Sequence, residues 1–175
     1  MYKYMSYIWM SLAVLFVQIF LLDNINIGAS VALWMRPMIF PLIVLLLPMH
    51  WKMIWVVLAA YGVGYIMDIS LGGEGLYVAT LLPLALIRPT LIYLIGRHSV
   101  DISDEKHILS RLGTWQMMLY IASALLIHHT LFFFLEALSF SHFGQVVLTI
   151  IFSMLLSTTI GWFVVRLFIS KVLVR

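Results

Sequence analysis

Between Gly144 and Ile169 the chain carries a single charge, Arg166. Crossing the hydrocarbon core of a bilayer takes about 20 mainly apolar residues of helix, so this run belongs in lipid or deep inside a protein. It has company. Long apolar runs also cover about Tyr4–Leu22, Lys52–Ile69, Leu76–Ile95 and Thr114–Leu138. A shorter one, about Trp34–Met49, carries Pro37, Pro41 and Pro48. Across 175 residues, 64% are hydrophobic and 10% charged, whereas a soluble domain is roughly half apolar and about a quarter charged. So much apolar surface cannot be hidden in one water-soluble core. The expected fold is all-α: a polytopic membrane protein, one compact bundle of six transmembrane helices spanning residues 1–175.

Orientation follows from the basic residues near the helix ends. One side collects Lys3, Lys52, Arg97, Lys106, Arg111, Arg166, Lys171 and Arg175, and the other has Arg36 alone. This asymmetry predicts that the first and last helices both have their free ends in the cytoplasm. Most of the six tryptophans fall near helix ends, as an interfacial aromatic belt requires. The first run is read as a retained helix, since no small-residue cleavage pattern precedes Asp23-Asn24. With no cysteine, disulfides and thiolate metal sites are excluded. The net charge of +3 reports orientation and gives no reason to expect nucleic-acid binding.

The stretch GYIMDISLGGEGLY, Gly64–Tyr77, places two carboxylates and four glycines at the end of the third helix. From Lys52, a helix at 1.5 Å per residue carries Asp68 roughly 24 Å, to the far edge of the hydrocarbon. Ala60, Gly64 and Asp68 share a face, and small residues at that spacing let helix backbones approach closely in lipid. Gly72, Gly73 and Gly75 permit a tight reversal, and Glu74 falls at the first turn of the next helix. Two readings stay open for Asp68: a cap on free N–H groups at the turn, or a contact for a partner outside the membrane.

The pattern Gly64, Asp68, Gly72, Gly75, Leu76 resembles the signature of the MreD family of rod shape-determining membrane proteins. Arg36-Pro37 resembles the family's Arg-Pro at the start of its second helix. Leu86-Ile87-Arg88-Pro89 resembles the Leu-x-Arg-Pro of its Bacteroidetes-type members. Chain length and the six-helix layout are similar too. The resemblance implies a non-enzymatic scaffold in the bacterial inner membrane, associated with MreC. Through it the protein would connect, directly or indirectly, with MreB, RodA and a class B penicillin-binding protein. It also implies a fold similar to the substrate-binding subunits of energy-coupling-factor transporters.

Other polar residues lie within the predicted spans. Arg88 is about twelve residues into the fourth helix, beside Pro89. It either snorkels to the inner headgroups, with Pro89 kinking the helix and freeing a carbonyl, or makes a partner or gating contact. His128 and His129 point about 100° apart on the fifth helix and cannot close on one metal ion by themselves, so they read as satisfied interior histidines. Ser153, Ser157 and Gly161 form a four-residue-spaced packing seam on the sixth helix, facing another helix of the bundle or a partner's helix. The eleven methionines read as gap-fillers. In the polar connection Gly96–Gly113, a short helix capped by Ser103 would rest on headgroups or dock a cytoplasmic partner.

No nucleophile–base pair, metal-ligand cluster or phosphate loop is legible, so neither catalytic residues nor a cofactor are expected. Two alternatives to the scaffold remain. A small-ligand-binding transporter subunit would need an outward pocket with convergent polar groups. An ion or proton conductor would need a wet path, for which the spans offer little beyond Arg88 and the two histidines.

Overall fold

The computed structural model describes residues 2–24, 35–96, 112–138 and 143–168. The described residues form six helices: α1 (Tyr2–Phe16), α2 (Pro41–Leu45), α3 (Met53–Leu71), α4 (Leu76–Gly96), α5 (Thr114–Ala137) and α6 (Phe143–Phe168). Four of them, α3 to α6, are long and apolar enough to cross a membrane. Their outward surfaces carry large apolar side chains such as Ile54, Leu86, Trp115, Leu155 and Phe163, which water would not tolerate in that number. The chain is an α-helical membrane protein.

Helix α1 continues through a π-helical turn, Val17–Leu22, closed by the Asp23 N–H on the Gln18 carbonyl at 3.0 Å. The wider turn accompanies a buried, inward-facing Gln18. Helices α3, α4, α5 and α6 pack as successive antiparallel neighbours. At the α3–α4 crossing, a Cβ on Gly64 would sit 2.8 Å from the Val78 Cα. Only glycine allows those backbones so close. Gly72 then ends α3 in the left-handed conformation (φ 69°), and Gly75 turns at φ 93°.

The expected second helix, about Trp34–Met49, is absent as a continuous element. Residues 35–39 have no regular secondary structure, Pro41–Leu45 make barely more than one helical turn, and the chain turns again through Pro48 and Trp51. Proline is the physical reason. Pro37 and Pro41 lack the N–H that a continuous helix uses, and proline rings clash with the preceding turn. This broken segment is the core of the molecule: every residue from Pro37 to Pro48 is buried. It runs between the two ends of the bundle, from Arg36 beside the α3–α4 turn to Lys52 at the start of α3. The remaining elements flank it. The connection 97–111, with the Ser103-capped helix expected there, lies outside the described residues.

Candidate functional site

Non-helical backbone at membrane depth is tolerated only where protein satisfies its polar groups. Here side chains from four flanking helices do so. The Arg36 N–H donates to Ser153 Oγ (2.9 Å), and the Met38 N–H donates to Ser157 Oγ (2.8 Å). The Ile39 N–H donates to Gln18 Oε1 (2.7 Å), while Gln18 Nε2 donates to the Pro37 carbonyl (3.1 Å) and to Asp23 Oδ2 (2.9 Å). At the other end of the segment, Tyr120 Oη donates to the Leu45 carbonyl (3.2 Å), and Arg88 Nη2 donates to the Leu47 carbonyl.

The seam on α6 therefore faces the broken segment. Ser153 and Ser157 are fully buried hydrogen-bonding groups, and Gly161 makes room for Leu42, whose Cδ1 would lie 3.1 Å from an added Cβ. A seam so occupied is closed to a partner's helix. His129 extends the arrangement. Its Nδ1 lies 2.8 Å from the Leu125 carbonyl, which can only accept, so Nδ1 carries the proton. Nε2 then accepts from the Ser157 hydroxyl at 3.1 Å, leaving Ser157 Oγ free to accept from Met38.

Arg88 corrects an expectation. It neither snorkels to headgroups nor faces a partner: it is 2% exposed and aimed at the end of α2. The carbonyl it meets belongs to Leu47, not to the turn opened by Pro89. Its Nε has no partner among the described residues. His128 is buried among Phe40, Phe132 and His129, with Nε2 3.4 Å from Thr80 Oγ1 and Nδ1 unpartnered. It reads as an interior histidine, though only partly satisfied.

At the Arg36 end the motif residues meet. Asp68 caps α4: Oδ1 accepts from the N–H groups of Gly75 (3.0 Å) and Tyr77 (3.1 Å), and Oδ2 from that of Val78 (3.1 Å). The capping reading is the one the geometry supports. Gly73 is confined against this cap, since a Cβ there would lie 2.5 Å from Asp68 Oδ1 and 2.4 Å from the Tyr77 ring. Tyr77, fixed by the cap, lies 2.9 Å from Arg36 Nη2 through its hydroxyl. Arg36 also pairs with Glu136 (Nη1–Oε1, 2.6 Å), approaches Asp23 Oδ1 at 3.9 Å, and lies 5.3 Å from the centre of the Phe132 ring. Burial pushes the Asp23 carboxyl up from its ordinary range, opposed by the Gln18 amide and by Arg36.

A cavity of about 240 Å³ opens beside this cluster, lined by Arg36, Tyr77, Phe132, Glu136 and the Gly72–Glu74 turn. Glu74 holds φ 50° there, uncommon for a residue with a side chain. Among the described residues no group of three or more histidine, aspartate or glutamate side chains is placed to hold a metal ion.

Gln18, Tyr77 and Tyr120 escaped sequence reasoning. A lone glutamine inside an apolar run was the available signal for the first; the two tyrosines were indistinguishable from interfacial aromatics. The pairing of Arg36 with Glu136, a hundred positions apart, has no local signature. Together, fold and site define a helical membrane protein built around a proline-broken internal segment. Comparison with family models, with curated proteins and with solved structures finds no match.

Proposed function

We propose that this protein is a non-enzymatic scaffold of the cell-shape and wall-elongation machinery in a bacterial inner membrane, acting as the MreD proteins its motifs resemble act. In this reading the chain crosses the membrane six times, with the broken segment as the second passage and both outer ends of the bundle's first and last helices in the cytoplasm. Its partners are membrane lipids, MreC, and directly or indirectly RodA, MreB and a class B penicillin-binding protein.

One observation carries the reading. The three motif pieces, far apart in sequence, serve one structural unit. Gly64, Asp68, Gly72 and Gly75 fix the α3–α4 turn and so Tyr77; Tyr77 meets Arg36, which opens the broken segment; Arg88 holds its other end. Residues spent on holding backbone are what a scaffold needs. Copurification from native membranes tests it: MreC and RodA are expected among the bound proteins, and depletion should turn elongated cells round or wide. Normal shape after depletion, with the wall-synthesis complex intact, would count decisively against it.

A second reading, a small-ligand-binding transporter subunit, is favoured by the cavity at Arg36. Its 240 Å³ falls below the roughly 300–1,000 Å³ of ordinary ligand pockets, and the bundle interior is filled by the broken segment. A small molecule retained in native mass spectrometry would promote this reading over the scaffold.

A further inference from the structure

The cavity at the Arg36 end carries both signs of charge, and both keep unused hydrogen-bonding capacity. A guanidinium has five N–H groups; in Arg36 one on Nη1 goes to Glu136 Oε1 and one on Nη2 to the Tyr77 hydroxyl. The second hydrogens on those nitrogens have no acceptor among the described residues. Glu136 meets Arg36 through Oε1, and its Oε2 accepts no hydrogen bond there. Glu74, exposed on the glycine turn, makes neither a side-chain hydrogen bond nor an ion pair among the described residues. All three residues line the cavity, and Tyr77 and Phe132 complete its wall. Its volume of about 240 Å³ has room for about eight water-sized groups at roughly 30 Å³ each, the bulk of a small amino acid.

We infer that this cavity binds a small zwitterion, a molecule of amino-acid size with an ammonium and a carboxylate on one short frame. A lone cation would face the guanidinium of Arg36, and a lone anion would face Glu74 and Glu136. An apolar molecule would strip all three of water and return no hydrogen bond. A ligand with both signs avoids each of these costs. Its carboxylate accepts charge-assisted hydrogen bonds from the free N–H groups of Arg36, and its ammonium donates to Glu136 Oε2 and to Glu74. Its short side chain rests on Tyr77 and Phe132. The Arg36–Glu136 pair stays intact, because the ligand takes only what that pair leaves free. The inference rests on the ligand-binding reading of this cavity and names its ligand class. The scaffold reading is tested separately, by copurification, and either can fail alone.

The test varies the ligand before the protein, so that folding is not at issue. The full chain in nanodiscs is titrated calorimetrically with glycine, alanine, serine and valine. The tightest binder is then compared with its N-acetyl and methyl-ester forms, each of which lacks one of the two charges. At least one amino acid is expected to bind saturably, one per chain, and both modified forms about ten-fold more weakly or worse. Glu74→Gln removes a carboxylate that no other described residue relies on. It is expected to weaken the tightest binder roughly three-fold or more, with the unfolding temperature unchanged. No saturable heat from any of the four, meaning that the cavity holds water only, would overturn the inference. So would a singly charged form that binds as tightly as its parent, or an unchanged affinity in Glu74→Gln.

Discussion

Asp68 illustrates how one side chain can organise a turn. Three backbone N–H groups at the start of α4 have no helical acceptor of their own, and its two oxygens take all three. Asp68→Ala would leave them facing a part-buried site. Each buried donor left unmet costs roughly 1–3 kcal/mol, so a loss of about 3 kcal/mol is expected in chemical unfolding of the purified protein. Asp68→Asn keeps one carbonyl oxygen and should lose about half as much. Equal losses would mean that charge, not hydrogen bonding, is what matters there. The place of Asp68 in the last turn of α3, beside the glycine turn, was legible in the sequence. Its acceptor role was legible only as one of two alternatives, because the donors become its neighbours only once the glycine turn has closed.

At the scale of elements, the broken segment decides the architecture. A helix end leaves carbonyl groups unpaired, and near the end of α2 Arg88 and Tyr120 reach the carbonyls of Leu47 and Leu45. Arg88→Leu removes the donor and leaves a buried carbonyl unmet; a hydrogen bond to a charged group contributes about 2 kcal/mol, and a destabilisation of that order is expected. Arg88→Lys keeps a cationic donor at lower reach and should recover part of it. If Arg88 instead held only lipid phosphate, the leucine variant would unfold at the wild-type denaturant concentration. The three prolines of the segment were visible in the sequence, yet its apolar run is read there as a second spanning helix. Periodicity could not say what replaces a helix, because the partners of an irregular backbone come from other elements: Gln18, Ser153 and Ser157.

Across the described residues, four helices, α3 to α6, are long and apolar enough to cross a membrane, and α1 and the broken segment pack with them. The exposed positions His50 and Glu74 mark opposite ends. In the six-passage reading, His50→Cys reacts with a membrane-impermeant maleimide only from the cytoplasmic side and Glu74→Cys only from the other, measured in intact cells and in inverted vesicles. Labelling of both from the same side would mean that α3, which lies between them, does not cross, and would reassign every charge used to orient the chain. The four long helices announced themselves by length and hydropathy alone. The pair Arg36–Glu136 did not, since residues 36% and 42% exposed by side chain carry no sequence mark of who meets whom.

The sequence by itself determined the solvent and the long helices: apolar runs of spanning length, and glycines where two backbones meet or a turn reverses. Those are local properties, set by hydropathy and by the backbone angles each residue type permits. Prolines did not by themselves mark the break, since Pro83 and Pro89 lie inside the continuous α4. Only the tertiary structure decided that the proline-rich run becomes the buried centre of the bundle, and that Arg36, Asp68 and Arg88 act on it or on its supports. Unpaired backbone groups cannot be left in hydrocarbon. Which side chains meet them depends on how the whole chain packs, and that is written at no single position.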